Sequence, residues 1–164
     1  MRFNPQYVVL FHHFRRFLEA AAKQGIDVAP IKGAHLLTSV YPEDEDRGML
    51  ADVDFLVRPR DWQKTLILLV ELGFVRKLHS SRLAYNREFH EASFTYAVDG
   101  DRKILFEPHR YLIQPKRHPI DHDALWLRSR ESTFDGAPCR RLSSCDHALE
   151  AIMHMITHFF VEPG

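Results

Sequence analysis

The chain opens on a helical pattern. Val8, Phe11, Phe14, Leu18 and Ala21 recur at three- and four-residue spacing, which gathers them on one face of an α-helix. Asn4 supplies an N-cap, Pro5 a first helical residue whose missing N–H costs nothing, and Gly25 a stop, so a helix is predicted over residues 4–24. Residues 26–31 read as a short strand, and a helical pattern through Ala34, Leu36, Leu37 and Val40 follows at once from Gly33. Tyr41-Pro42 ends that helix, and residues 43–48 form a charged loop.

Residues 49–57 are a strongly apolar run with the look of a buried strand, broken by Pro59. Asp61 is placed to cap a helix through Trp62, Leu66, Leu69, Val70 and Leu72, closed by Gly73. Residues 74–78 predict a short edge strand, and the polar, basic stretch 79–88 a loop. The period then changes to two: Ala92, Phe94, Tyr96 and Val98 alternate with Ser93 and Thr95. Asp99-Gly100 is a hairpin turn, so residues 103–109 return antiparallel. A short helix is expected over residues 121–130 and a tight turn between short strands at Asp135-Gly136. Ser144 would cap a last helix whose buried side is Leu149, Ile152, Met153, Ile156 and Phe160.

This order predicts an α+β domain with a small mixed or largely antiparallel sheet. One domain is expected over residues 1–164: the first helix, a core over about residues 26–112, and a C-terminal hairpin and helix over about 121–160. With 45% hydrophobic and 27% charged residues, the composition is that of a soluble globular protein rather than a disordered one. Lysine plus arginine equals aspartate plus glutamate, 22 of each, so no large attraction to nucleic acid or anionic membrane is expected. No apolar run is long enough to span a membrane and no export signal opens the chain, which predicts a cytoplasmic protein. Two cysteines, Cys139 and Cys145, make no disulfide scaffold.

The chemistry centres on Asp52 and Asp54. On a strand they point the same way with Cα atoms about 6.5–7 Å apart, and two like charges there repel unless a cation bridges them. A divalent-metal site is the direct reading. Glu107 lies mid-strand in another apolar run, sharing a face with Leu105 and His109, and needs a partner of its own. A metal shared with the aspartates would supply it. Upstream, the strand-turn-helix passage through Lys32 and Gly33 offers backbone N–H groups and the positive end of a helix dipole to an anion such as phosphate. His154 and His158, four apart on one helix, are spaced as zinc ligands, but neither a glutamate between them nor a third ligand accompanies them.

Three passages in order, Ile31-Lys32-Gly33-Ala34, Asp52-Val53-Asp54-Phe55-Leu56-Val57 and Phe106-Glu107-Pro108-His109, resemble the nucleotidyltransferase superfamily with a DNA polymerase β-like fold. More closely they look like the bacterial group of uncharacterised nucleotidyltransferases, over about residues 26–158. The resemblance implies a small mixed sheet with helices on one face and the metal site open on the other. It implies transfer of a nucleoside monophosphate from an NTP, ATP among them, to an acceptor hydroxyl, with release of pyrophosphate. Asp52, Asp54 and Glu107 would be catalytic and hold two Mg²⁺ ions, with Mn²⁺ an alternative. Lys32, Gly33 and Arg47 would bind the nucleotide, and His109 would orient a site carboxylate.

Lys32-Gly33-Ala34 replaces the superfamily's Gly-Ser turn, and Glu107 stands where the group often has aspartate. Pro108 removes a ladder donor, which predicts an edge or a bulge there. Relatives tend to continue with further helices where this chain stops. The acceptor, whether small molecule, protein or RNA end, is not specified, nor is the oligomeric state. Two other functions stay open: a catalytically inactive relative that senses nucleotide or binds protein, and a histidine-based metal hydrolase.

Overall fold

The computed structural model describes residues 5–40, 50–77, 90–100, 102–113 and 119–156. The first helix, α1 (Pro5–Lys23), leads into β1 (Val28–Pro30), α2 (Lys32–Ser39) and β2 (Asp52–Val57). A 3₁₀ turn, Pro59–Asp61, precedes α3 (Trp62–Glu71), followed by β3 (Val75–Lys77), β4 (Ser93–Asp99) and β5 (Arg102–His109). Then come α4 (His122–Arg128), the hairpin β6 (Arg130–Phe134) and β7 (Ala137–Arg141), and α5 (Ser144–Ile156).

The main sheet has the order β1-β2-β5-β4-β3, with β3 on an edge as expected. Its pairs are antiparallel except β2 with β5, which run parallel with Asp54 opposite Glu107 and Leu56 opposite His109. That one parallel pairing brings the third carboxylate to the aspartates. The hairpin at Asp99-Gly100 forms as predicted. Pro108 sits in a central strand rather than at an edge. Its carbonyl accepts the Ala92 N–H at 3.0 Å, just before β4 begins at Ser93, so the missing donor faces the place where that ladder stops.

Strand alternation divides β2 between two environments. Val53, Phe55 and Val57 enter the main core with Phe14, Phe17, Leu66, Leu69, Phe94 and Phe106, under α1 and α3. Asp52, Asp54 and Leu56 face the other way. On that side a smaller apolar cluster of Ile31, Leu56, Leu112, Leu125, Trp126 and Leu142 plugs the far end of the strand.

Helices α1 and α3 end alike. Gly25 (φ +67°) and Gly73 (φ +92°) are left-handed, and the amides that follow, Ile26 and Phe74, reach back to the Ala21 and Leu69 carbonyls at 2.9 and 3.0 Å. Both helix ends therefore turn the chain down into the core, where Ile26 and Phe74 are buried.

Several local expectations need correction. Asp61 makes no side-chain cap; the 3₁₀ turn begins the helix instead, at Pro59, whose fixed φ suits a first helical position. The strand expected from residue 49 begins at Asp52, and the helix expected to residue 130 ends at Arg128. The cap of α5 is Ser143 rather than Ser144: its hydroxyl accepts the Asp146 N–H at 3.2 Å and donates to the Asp146 carboxylate. Finally, α5 does not bury Leu149 and Ile152, which are exposed; its buried residues are Asp146, His147 and Glu150. Phe160 lies outside the described residues, as does the acidic loop 43–46.

Phe14 is fully buried and its ring meets those of Phe17, Phe55, Phe106 and Phe134, so it ties α1 to the sheet and to the β6–β7 hairpin together. Phe14→Ala is expected to lower stability by about 3–5 kcal/mol in urea unfolding. Ile67→Ala, on the exposed side of α3, should stay within about 0.5 kcal/mol of the starting protein.

Candidate active site

Asp54 is the centre of the site. It is only 4% exposed, and its Oδ1 receives two donors, the Lys32 ammonium at 2.8 Å and His109 Nε2 at 2.9 Å. A carboxylate can only accept, so the His109 proton on that side is on Nε2. Burial pushes the Asp54 carboxyl upward, but the His109 hydrogen bond and the charges of His109 and Lys32 outweigh it, and the group titrates below the usual range. Lys32 shows the converse: burial works against its charge, and the Asp54 carboxylate more than restores it.

Glu107, opposite Asp54 in the parallel register, is held by Ser93, whose hydroxyl donates to Oε1 at 2.9 Å. His109, 2% exposed, presents Nδ1 to Glu91 Oε2 at 3.7 Å and so lies between two carboxylates. Ligand atoms of Asp54, Glu107 and His109 all lie within 4.8 Å of one another. Asp52 shares the face but stands outside that group, in which His109 takes the place expected for it. The Asp52 carboxyl is raised to about 6, first by burial and then by the charges of Asp54 and Glu107. Asp52 is raised by its carboxylate neighbours, and oxygen donors of Asp54 and Glu107 meet within 4.8 Å beside His109, a setting that fits a divalent cation of the Mg²⁺ type.

The Lys-Gly turn is built differently from the expected cradle. Lys32 is the first residue of α2 yet has φ +49°, a left-handed conformation that costs a residue with a Cβ about 1–2 kcal/mol. A Cβ at Gly33 would come within 2.4 Å of Leu50 Cδ1, the far end of a flexible side chain. The Glu150 carboxylate, on α5, lies within electrostatic reach of Lys32.

Glu150, Glu91 and Ser93 were not singled out from the sequence. Glu91 and Ser93 flank the start of β4, and only their pairing with β5 shows their relevance. Glu150 carries a signal of a kind, since it lies one turn after His147 on a helix whose apolar residues fall elsewhere. That polar pair meets α2: His147 stacks on His35 with ring centroids 3.3 Å apart and planes within 7°. Burial, then Arg141, pulls the His35 imidazole down to about 4, and burial and His35 do the same to His147. Arg47 lies outside the described residues, and so does His158, leaving His154 on the exposed side of α5. Among the described residues no helix is long and apolar enough to cross a membrane.

A mixed sheet backed by helices, with paired strand aspartates and a third carboxylate on one face, is the DNA polymerase β-like fold of nucleotidyltransferases, and solved structures share it. The lincosamide antibiotic adenylyltransferase LnuA, with lincomycin bound, superposes with a TM-score of 0.54 at 12% identity, covering 84% of this chain and 83% of that one. A Thermotoga maritima protein assigned to the nucleotidyltransferases (TM1012) gives 0.55 at 13% identity, over 94% of this chain and 88% of that one. Those identities speak to fold alone. Residues 5–163, however, match the family of uncharacterised nucleotidyltransferases, and the chain belongs to that family of transferase enzymes. No curated protein matches it significantly.

The raised Asp52 carboxyl has a consequence for stability. Its ordinary value is 3.8 and its folded value about 6, so the folded state holds this proton more tightly than the unfolded one and is penalised as pH rises through about 6. Without divalent cations, Asp52→Asn should be more stable than the unsubstituted protein at about pH 8 by about 1–2 kcal/mol, allowing for the group's half-exposure. That advantage should vanish below about pH 4, as read by urea unfolding at the two pH values.

Proposed function

We propose that this protein transfers a nucleoside monophosphate from an NTP to an acceptor hydroxyl, using Mg²⁺ or Mn²⁺ and releasing pyrophosphate. The observation that carries the reading is the parallel β2–β5 register, which sets Asp54 beside Glu107 with Asp52 on the same face. Asp52, Asp54 and Glu107 would hold the cations. Divalent cations bound there supply the positive charge that clamps the entering and leaving oxygens of an in-line displacement.

The chain's own residues have separable tasks. The acceptor oxygen attacks the α-phosphorus, the bond to the β-phosphate oxygen breaks, and the acceptor's proton goes to Glu107, which Ser93 keeps oriented. His109 fixes the rotamer of Asp54 from below. The Lys32 ammonium, paired with Asp54, would neutralise triphosphate charge beside the cations. A neutral overall charge disfavours a long nucleic acid as acceptor. LnuA, an adenylyltransferase of an antibiotic, supports a small hydroxyl compound instead.

A second reading is favoured by the Lys32-Gly33 turn. With Lys32 left-handed and its ammonium resting on Asp54, the fold would bind nucleotide without transferring it. Labelled NTPs with Mg²⁺ and a panel of hydroxyl acceptors or cell extract separate the two. Transfer that stops on chelation and falls by about 10²–10³-fold in Asp54→Asn supports the enzyme. Saturable NTP binding with no transfer to any acceptor would leave the sensor.

A further inference from the structure

One oxygen of Asp54 carries two partners at once. Its Oδ1 accepts the Lys32 ammonium at 2.8 Å and His109 Nε2 at 2.9 Å, and a carboxylate oxygen has two lone-pair sites, so both are in use. The same carboxylate, with Glu107 and His109, presents ligand atoms that lie within 4.8 Å of one another. Asp54 therefore serves two cations, the ammonium of the protein's own lysine and the divalent ion that the carboxylate cluster fits. The two exclude each other. A doubly charged ion on either Asp54 oxygen would stand a few ångströms from Nζ in a pocket shielded from water, where like charges repel most strongly.

The structure distinguishes the partner that can give way. His109 stands on the central strand β5 beside Leu56, its backbone bridges to Glu91, and its side chain is 3% exposed. It cannot leave without the sheet moving. The Lys32 side chain is 21% exposed, and its ammonium rides on a flexible stem that leaves Asp54 by rotation about its own bonds. Its backbone meanwhile stays anchored, because Ile31 just before it donates its N–H to the Asp54 carbonyl at 3.0 Å. Glu91 and Glu150 also lie within electrostatic reach of Lys32 and favour its charge, so the ammonium keeps part of its compensation once it is away from Asp54.

We propose that Lys32 is an exchangeable counter-ion: its ammonium yields Asp54 to a divalent cation and is freed by that exchange to meet the triphosphate. Loading then has an order, with the cation settled on Asp54 before lysine meets phosphate. The meeting with the triphosphate rests on the reading of this protein as an NTP-using transferase, whereas the competition for Asp54 does not.

Two measurements without nucleotide test the competition. Mn²⁺ binding, read by electron paramagnetic resonance of the free ion, should be about tenfold tighter in Lys32→Met, which keeps the stem and loses the charge. Lys103→Met, which removes a charge from the exposed end of β5, should change the affinity by less than about twofold, because screening weakens distant charges. Equal or weaker Mn²⁺ binding in Lys32→Met overturns the proposal, and so does equal tightening in Lys103→Met, which would make net charge the cause. Lysine acylation by acetic anhydride, read by peptide mass spectrometry, should find Lys32 slow, and at least about fivefold faster at saturating Mn²⁺, with Lys23, Lys64 and Lys103 unchanged. No acceleration of Lys32 overturns the exchange. Should Lys32→Met fail to fold by circular dichroism, Lys32→Gln, which keeps a donor for Asp54 without the charge, takes its place.

Calorimetric titration with ATP at saturating Mn²⁺ separates this exchange from the reading it rests on. If Lys32→Met binds Mn²⁺ more tightly and ATP as well as the unsubstituted protein does, the exchange stands and the phosphate-binding reading of Lys32 fails. If Mn²⁺ affinity is unchanged and ATP binding falls about tenfold, the exchange is overturned and Lys32 remains a phosphate ligand. Absence of Mn²⁺ binding in both proteins overturns the exchange together with the cation site.

Discussion

A carboxylate almost sealed from water inside an apolar strand is the constraint that the rest of this structure answers. Asp54 cannot leave its strand, because Val53 and Phe55 on either side are fixed in the main core. It cannot stay charged without partners. Lys32 and His109 converge on a single oxygen of it, one from the turn before α2 and one from β5, so two distant segments are pinned by the same charge. The parallel pairing of β2 with β5 follows the same logic, since it sets His109 next to Leu56, two residues along the strand from Asp54 and on the same face.

The same face shows why a polar patch survives in a small domain. Beyond Asp54 the strand continues to Leu56, which is covered by Ile31, Leu125 and Trp126. The apolar plug anchors α4, and the Arg128–Asp146 pair carries that anchoring across to the first turn of α5. Helix α5 is therefore positioned by contacts away from the site, and its inward residues can be polar without the helix coming loose. His147 and Glu150 use that freedom.

Much of the fold was legible because local periods and punctuation agree. The helix of Phe14 and Phe17, the alternation from Ala92 to Val98, the Asp99-Gly100 and Asp135-Gly136 turns, and the glycine stops all act over a few residues, where sequence is informative. What was not legible depends on partners far away in the chain. Nothing within residues 103–109 says that β5 will find β2 on its second edge. In α5 two stripes compete at helical spacing, Leu149 with Ile152 and His147 with Glu150, and hydrophobicity favours the wrong one. The polar stripe faces inward onto α2, where His147 stacks on His35. Asp52, Asp54 and Glu107 could be picked out as anomalies, charges where a strand should be apolar. Glu91 and Ser93 could not, because each looks ordinary until its neighbour on β5 is known.

The turn at Lys32 shows how the physics of an anion site changes when a carboxylate stands close by. A free helix N-terminus offers about half a unit of positive charge spread over several amides. Here the Glu150 carboxylate lies within electrostatic reach of Lys32 and offsets part of that charge. The ammonium of Lys32 carries a full charge on a flexible stem, and it rests on Asp54 rather than on a rigid backbone ring. A lysine whose partner is a carboxylate suited to a cation is held only as long as that carboxylate lacks one. In the proposed reaction the movable side chain, and not the glycine turn, is then the element that answers to the nucleotide. The departure from the superfamily's Gly-Ser pattern becomes intelligible as an exchange of a hydroxyl and an open backbone for a buried, aimed cation.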